Sequence, residues 1–215
     1  MKIDQLHFIS QQTEQSGHIE GIKQALDAGC KWIQLRIKRQ REEFVTESAL
    51  QAKTLCDLYN ARLIINDYPQ AARDADAYGL HLGLKDMPLP LARTIAGPDM
   101  IIGGTANTFS DVLLRVQEGA DYIGLGPYRF TATKENLSPI LGLSGYQNIM
   151  QQVSAAGISI PVIAIGGIQQ DDVPALLDTG VYGIAISGSL LKCADKSGTV
   201  KTIYHYMNNR TLFQK

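Results

Sequence analysis

Two carboxylates stand just after apolar segments that are typical of buried strands. Asp67 follows the run Arg62–Ile65 after one asparagine, and Asp86 comes four residues after Leu82. Two such carboxylates suit a hard cation, because Mg²⁺ is usually held by one or two protein carboxylates, with phosphates and water completing its shell. Each aspartate also has a plainer interpretation, Asp67 as a turn residue and Asp86 as a helix N-cap.

Cationic side chains alternate with apolar ones in the segment Gln34-Leu35-Arg36-Ile37-Lys38. Successive side chains of a strand point to opposite faces, so Gln34, Arg36 and Lys38 share one face and Leu35 and Ile37 the other. A guanidinium and an ammonium group at one strand end suit a phosphate or a diphosphate. The alternative is that both charges simply reach solvent.

Glycine and hydroxyl residues follow three later apolar segments: Gly166-Gly167, Ser187-Gly188, and Thr131-Ala132-Thr133-Lys134 in the long stretch from Gly126 to Gly142. Glycine lets backbone N–H groups approach an anion, and these groups predict a phosphate site. Tight turns without a ligand are the alternative. The long stretch is interpreted as a functional loop.

Four other polar residues lie in or near these apolar segments. Thr105 and Asn107 follow another strand candidate and are expected near the same site. His81 lies inside a strand candidate and is expected to pack in the core. Arg129 either adds to the phosphate site or stays solvated.

These residues need a scaffold that gathers many strand ends on one side. Short β-branched runs predict strands at Leu6–Ser10, Trp32–Arg36, Arg62–Ile65, Gly79–Leu82, Met100–Gly103, Tyr122–Gly124, Pro161–Ile165 and Gly183–Ile186. Helical spacing between them predicts Gly21–Ala28, Glu42–Tyr59, Ser110–Glu118, Tyr146–Ala155 and Val173–Thr179, with short helices after the third and fourth strands and a last helix and tail over Gly198–Lys215.

A glycine separates helix from strand at Gly29, Gly119, Gly157 and Gly180, and three of these junctions read alike: AGCKWIQL, GADYIGLG and GVYGIAIS. Glycine just past a helix is a common C-cap, and the repeated junction indicates a series of βα units. Eight units predict an α/β protein with a single-domain (β/α)8 TIM barrel spanning residues 1–215. A doubly wound sheet is the alternative.

The composition of the chain excludes several classes of protein. The 215 residues carry a formal net charge of −1 and are 45% hydrophobic, which argues against a nucleic-acid binder and against disorder. No apolar run reaches the length of a membrane helix. Three scattered cysteines, Cys30, Cys56 and Cys193, indicate a reduced, cytoplasmic setting. Whether the chain forms homo-oligomers is left open.

The ordered motifs QLRIK, LIINDYPQAARDADAYGLHLG, GADYIGLGP, TATK and IPVIAIGGI resemble the thiamine-phosphate synthase family over nearly the whole chain, from Gln34 to Gly188. The resemblance implies a transferase with Mg²⁺ as cofactor and phosphorylated small molecules as partners. It would join 4-amino-2-methyl-5-hydroxymethylpyrimidine diphosphate to 4-methyl-5-(2-hydroxyethyl)thiazole phosphate, or to its carboxylated form. The products would be thiamine phosphate and pyrophosphate, formed by dissociative loss of the Mg-bound pyrophosphate and capture of the pyrimidinylmethyl cation by the thiazole nitrogen.

The resemblance also implies roles for individual residues. Asp67 and Asp86 would bind the metal, and Arg36, Lys38 and Lys134 would be catalytic. The pyrimidine diphosphate would be held by Gln34, Leu35, Arg36, Ile37, Lys38, Asn66, Thr105 and Lys134. The thiazole phosphate would be held by Thr131, Ala132, Thr133, Gly167, Ser187 and Gly188.

The sequence departs from the family pattern at four places near the predicted site. Asn107 stands where the family usually has histidine, Leu84 where it has glutamine, and Arg129-Phe130 where it has Phe-Pro. Ser187-Gly188 stands where the family has Val-Ser or Ile-Ser, which a site built from backbone N–H groups tolerates. Asn107 argues against the related thiazole tautomerases, because a carboxamide cannot serve as their acid/base histidine. A non-catalytic phosphate-ligand binder and another phosphate-binding barrel enzyme are the remaining alternatives.

Overall fold

Eight strands and nine helices are found in the computed structural model, which describes residues 3–13, 16–130 and 139–209. The strands are β1 Leu6–Ile9, β2 Trp32–Leu35, β3 Arg62–Asn66, β4 Gly79–Leu82, β5 Ile101–Ala106, β6 Tyr122–Leu125, β7 Val162–Ala164 and β8 Gly183–Ile186. The helices are α1 His18–Asp27, α2 Glu42–Leu58, α3 Pro69–Asp74, α4 Leu89–Ala96, α5 Phe109–Gln117, α6 Gly142–Ala155, α7 Val173–Asp178, α8 Gly188–Leu191 and α9 Lys196–Asn208, with a 3-10 turn at Gln170–Asp172.

The strands form one closed barrel in sequence order. Each strand pairs in parallel with the next, and β8 closes on β1 with Phe8 opposite Ile186. The predicted (β/α)8 barrel is therefore confirmed over the doubly wound alternative. Closure brings the carboxyl ends of all eight strands to one mouth, where barrels carry their chemistry.

The barrel is filled by large side chains. Trp32 and Tyr122 are almost fully buried inside it, and His7 stacks on Trp32 with ring centroids 4.7 Å apart. Burial lowers the pKa of His7 to about 3, so this side chain is neutral and belongs to the core. A larger apolar layer packs between the strands and the surrounding helices.

The predicted glycine junctions are confirmed. Gly29, Gly119, Gly157 and Gly180 have φ values of 106°, 76°, 66° and 101°, in the region that side chains other than glycine rarely adopt. Each lets the chain leave a helix and enter the next strand within a few residues. In the described part of the chain, no helix is long and apolar enough to cross a membrane.

Strand β5 is longer than predicted. The prediction ended it at Gly103, but the ladder continues with Thr105 opposite Gly124 and Ala106 opposite Leu125. Thr105 is therefore a strand residue at the mouth. Glycine would ordinarily weaken a strand, yet here Gly103 and Gly104 leave room for the side chains of Tyr122 and Arg115.

We expect Gly103→Ala to destabilise the barrel, because a β-carbon there would overlap the Tyr122 ring. Overpacking a filled interior costs about 1–3 kcal/mol, measurable as a lower urea midpoint. Gly21→Ala in α1 is the matched control. Its β-carbon would meet only ordinary contacts, at 3.6 Å from Leu191, and helix propensity predicts a small gain. Equal midpoints for the Gly103 variant and the parent would contradict this packing argument.

Candidate active site

A cleft opens at the barrel mouth and reaches down to His7 and Tyr122 in the interior. Polar side chains from four neighbouring strands or the loops that follow them line it. They are Gln34, Arg36, Lys38, Asn66, Asp67, His81 and Thr105. Six residues of the predicted diphosphate and metal sites thus line the cleft, and Asp86 lies beside it within 3.9 Å of Lys38 Nζ.

Leu35 and Ile37 pack in the hydrophobic layer, as the alternation of the segment predicts. Their side chains face away from the cleft, so any contact with a substrate must come from their backbone. Gln34 faces the cleft and its Nε2 donates a 2.7 Å hydrogen bond to Asn66 Oδ1. Asn66 Nδ2 is buried and has no partner among the described residues. A buried amide donor without a partner is costly, which marks Asn66 as a candidate ligand contact.

Asp67 and Asp86 form a carboxylate pair around one ammonium group. Lys38 Nζ contacts Asp67 Oδ2 and lies 3.9 Å from Asp86 Oδ2. The backbone N–H of Gly83 donates a 2.7 Å hydrogen bond to Asp86 Oδ2. Burial raises the pKa of Asp67 to about 6, and the neighbouring Asp86 adds to the shift while Lys38 opposes it. For Asp86, burial is outweighed by hydrogen bonding to Asp67, by Lys38 and by the Gly83 N–H, which together lower its pKa.

This pair is suited to a small divalent cation. Asp67 Oδ1 is buried and has no hydrogen-bond partner among the described residues, so one carboxylate oxygen remains for a ligand. The described part of the chain has no cluster of three or more His, Cys, Asp or Glu side chains that could hold a metal on its own. Two carboxylates beside cations fit Mg²⁺, whose shell is commonly completed by substrate phosphates and water.

The plainer interpretation of Asp86 as a helix N-cap is wrong, since α4 begins after Pro88 and has no side-chain cap. Asp67 does lie in a turn, with φ at 71°, directly before Pro69 and helix α3. The turn and the ligand role are compatible, because Asp and Asn tolerate this backbone region better than other residues with side chains.

Thr105 is held by a buried hydrogen-bond chain. Its Oγ1 lies 3.0 Å from His81 Nε2, and His81 Nδ1 lies 3.1 Å from the Tyr122 hydroxyl. His81 is buried in β4 as predicted, but it also connects the core to the cleft. Both ring nitrogens lie within hydrogen-bond distance of a hydroxyl group, so His81 orients the hydroxyl of Thr105.

Arg115 supports the site from helix α5, and sequence reasoning missed it. Its guanidinium is buried and donates to Thr105 O at 3.1 Å, to Gly83 O at 2.8 Å and to Glu118 at 2.5 Å. It thereby ties the end of β5 to the Gly83–Asp86 turn. The sequence did offer one signal for this role: Arg115 comes three residues after Val112 and therefore lies on the apolar face of the helix.

Ser10 and His18 were also missed. Ser10 Oγ accepts the backbone N–H of Arg36 at 3.0 Å and lies 2.8 Å from His18 Nδ1. Burial and the nearby Arg36 charge both lower the pKa of His18. These contacts fix the backbone at the end of β2, from which Arg36 enters the cleft. Burial also lowers the pKa of Arg36, with Asp67 and Asp86 opposing the shift.

The predicted phosphate site has a described part and an undescribed part. Gly166 and Gly167 follow β7 with φ values of 93° and 71°, and Ser187 and Gly188 follow the neighbouring strand β8. Ser187 Oγ donates to Ile9 O at 2.6 Å, so its hydroxyl proton is already used. Thr131, Ala132, Thr133 and Lys134 lie outside the described residues.

The other three departures from the family pattern have distinct surroundings. Asn107 Nδ2 donates to Gly126 O at 3.0 Å and to Pro139 O at 2.9 Å, so this side chain joins both ends of the β6–α6 connection. Leu84 is partly exposed at the surface. Arg129 is neither simply solvated nor free to bind an anion, because it forms an ion pair with Asp172.

Comparisons with known proteins agree with this architecture. A family model described as thiamine monophosphate synthase matches residues 6–190. A thiamine-phosphate synthase of Bacteroides fragilis is 52% identical over 198 residues, which cover 92% of this chain and 97% of that protein. One from Flavobacterium johnsoniae is 50% identical over 193 residues, covering 90% and 91%.

A solved structure extends the agreement to three dimensions. The thiamine phosphate pyrophosphorylase of Pyrococcus furiosus superimposes with a TM-score of 0.81 at 30% identity, covering 95% of this chain and 96% of that one. The range that the family model matches, residues 6–190, contains all eight strands of the barrel and the polar residues that line the cleft. The chain therefore belongs to the thiamine monophosphate synthase family, a family of transferases in thiamine biosynthesis.

Proposed function

We propose that this transferase joins 4-amino-2-methyl-5-hydroxymethylpyrimidine diphosphate to 4-methyl-5-(2-hydroxyethyl)thiazole phosphate, and that the products are thiamine phosphate and pyrophosphate. The observation that carries the proposal is the group formed by Lys38, Asp67 and Asp86 at the mouth of a barrel of this family. The carboxylates suit a metal ion bound to a diphosphate, and the ammonium group suits the negative charge with which the diphosphate leaves.

The residues of the cleft have different roles in the departure of pyrophosphate. Arg36 and Lys38 supply fixed positive charge beside the leaving pyrophosphate, and Lys134 is assigned the same role by the resemblance. Gln34, Asn66 and Thr105 orient the pyrimidine diphosphate through their amide and hydroxyl groups. Asp67 and Asp86 would hold Mg²⁺, which when bound neutralises charge on the diphosphate oxygens. Charge stabilisation of this kind is usually the largest single contribution to such a step.

The second substrate is positioned from the opposite side of the mouth. Gly167, Ser187 and Gly188 follow β7 and β8, and we propose that their backbone holds the thiazole phosphate together with Thr131, Ala132 and Thr133. The step is dissociative: the bond to pyrophosphate breaks first, and the thiazole nitrogen then attacks the pyrimidinylmethyl cation that remains. No protein nucleophile is required, so positioning supplies the remaining acceleration.

Two hydrogen bonds of Asn107 weaken the thiazole tautomerase alternative. Both protons of the Asn107 amide are directed to the carbonyl oxygens of Gly126 and Pro139. A carboxamide bound in this way neither titrates nor faces a substrate as an acid or base. Asn107 is therefore a structural residue that joins the two ends of a connection.

The test mixes purified protein with both substrates and Mg²⁺ and measures thiamine phosphate by chromatography. We expect stoichiometric product and pyrophosphate, complete loss of turnover with excess EDTA, and recovery when Mg²⁺ is restored. A protein that binds thiamine phosphate but forms none of it from the two substrates would be a binder, and the proposed function would be wrong. Turnover that persists in EDTA would contradict the metal role alone.

A further inference from the structure

An ion pair joins the connections that follow β6 and β7. Arg129 Nη1 lies 2.5 Å from Asp172 Oδ2, and Arg129 Nη2 lies 2.8 Å from Asp172 Oδ1, so two parallel hydrogen bonds form. Asp172 Oδ2 also accepts the backbone N–H of Gln169 at 2.8 Å. Such a bidentate pair fixes direction as well as distance, which a single contact between charges does not.

The segment that contains Arg129 donates hydrogen bonds to three consecutive carbonyl groups of the connection that follows β7. The N–H of Tyr128 donates to Ile165 O at 2.9 Å, and the N–H of Arg129 donates to Gly166 O at 3.1 Å. The third carbonyl, Gly167 O, accepts a hydrogen bond from the guanidinium of Arg129, at 3.0 Å from Nη1. All three carbonyls therefore face the connection that follows β6.

The same contacts determine where the N–H groups of Gly167 and Ile168 point, because each peptide unit is planar. In a trans peptide the N–H points away from the C=O of the same unit. Since Gly166 O and Gly167 O face Arg129, the N–H groups of Gly167 and Ile168 face away from it. Neither N–H donates to an acceptor among the described residues. Two adjacent backbone donors are thus left for an anion on the other side of the turn.

Close packing prevents the turn from rotating. A β-carbon on Gly167 would lie 2.5 Å from Arg129 Cγ, and one on Gly166 would lie 2.6 Å from Pro127 Cβ. The backbone of the turn therefore rests directly on the side chain of Arg129. The guanidinium also lies over the Tyr128 ring, 4.9 Å from its centroid, which limits its own movement.

We infer that Arg129 is a positioning residue for the thiazole-phosphate subsite, acting with Asp172 to orient the Gly167–Ile168 peptide so that its N–H faces the phosphate. Its role is indirect, because Nη1 donates to Gly167 O and Asp172 Oδ2 and Nη2 donates to Asp172 Oδ1. The inference rests on the proposed function, in which Gly167 holds that phosphate.

The test compares Arg129→Gln, Arg129→Lys and Asp172→Asn with the parent. We measure KM for each substrate, and by calorimetry the Kd of thiazole phosphate alone. Losing a charged hydrogen bond that orients a donor should raise KM and Kd for thiazole phosphate about tenfold in Arg129→Gln. Arg129→Lys keeps a donor and should recover part of this, and Asp172→Asn should show a smaller rise. KM for the pyrimidine diphosphate should stay within about twofold, because its site lies across the mouth.

Arg93→Gln is the matched control. Arg93 also pairs with an aspartate, Asp121, at 3.0 Å and donates to a carbonyl, Met100 O, at 2.8 Å, but at the other end of the barrel. We expect both KM values of this variant to equal those of the parent. Thermal unfolding of every variant identifies loss of folding, and Arg129→Lys with Asp172→Asn carries the test if Arg129→Gln does not fold.

The outcomes separate this inference from the proposed function. If the parent forms thiamine phosphate while folded Arg129→Gln keeps its KM and Kd for thiazole phosphate, the positioning role is wrong and the function stands. If the parent binds thiazole phosphate without turnover, the function is wrong and the Kd values alone decide the role of Arg129. A parent that neither binds nor turns over rejects both. Equal rises in KM for the two substrates would indicate a general structural effect and would also overturn the inference.

Discussion

Asp67→Asn is expected to lower kcat/KM by at least about 100-fold, because it removes one of the two carboxylates proposed to hold Mg²⁺ at the diphosphate. Asparagine preserves the shape of the side chain and tolerates the φ of 71° at this position, so the turn should survive. The neutral amide leaves Asp86 as the remaining charged ligand. The Mg²⁺ concentration that gives half-maximal rate should therefore rise as the rate falls.

Initial rates across a Mg²⁺ titration measure both effects. Asp74→Asn is the matched control, since Asp74 lies on the exposed side of the adjacent helix α3 and contacts Arg73 and Gln70. Its rate and its Mg²⁺ midpoint should equal those of the parent. A variant at Asp67 that keeps the parent's rate and midpoint would exclude this carboxylate from the metal site.

Lys38→Met is expected to have the second largest effect, a fall in kcat of about 100-fold with the fold intact. The ammonium contacts Asp67 and lies 3.9 Å from Asp86, and its side chain is 40% exposed in the cleft. Methionine keeps the length of the stem and removes only the charge, so the departing pyrophosphate loses a fixed cation. Because the ammonium also competes with Mg²⁺ for the carboxylates, the Mg²⁺ midpoint should fall.

The opposite shifts of the Mg²⁺ midpoint distinguish a metal ligand from a leaving-group cation. Lys53→Met is the control for charge removal, since Lys53 forms a 2.7 Å ion pair with Asp57 outside the barrel. It should leave kcat and the midpoint unchanged. If Lys38→Met raises the midpoint as Asp67→Asn does, then Lys38 serves the metal site and its assignment to the leaving group is wrong.

Local sequence signals determined the elements and much of the candidate site. The glycine junctions and the alternation of Gln34, Arg36 and Lys38 depend on backbone preference and on the two-residue period of a strand. Both properties act between neighbours along the chain, so they can be read without knowing the fold. Most predicted element boundaries differ from the structure by only one to four residues.

The sequence could not determine contacts between residues far apart in the chain. Arg129 and Asp172 are 43 residues apart, and Arg115 reaches Gly83 over 32. Nothing local marks Arg129 as a partner of Asp172, and the glycine pair in β5 locally disfavours the strand that the barrel completes. Barrel closure brings these residues together, because only the closed sheet places consecutive βα connections side by side at one mouth. The sequence by itself thus determined which residues are candidates for the chemistry, while the tertiary structure decided which side chains hold them in place.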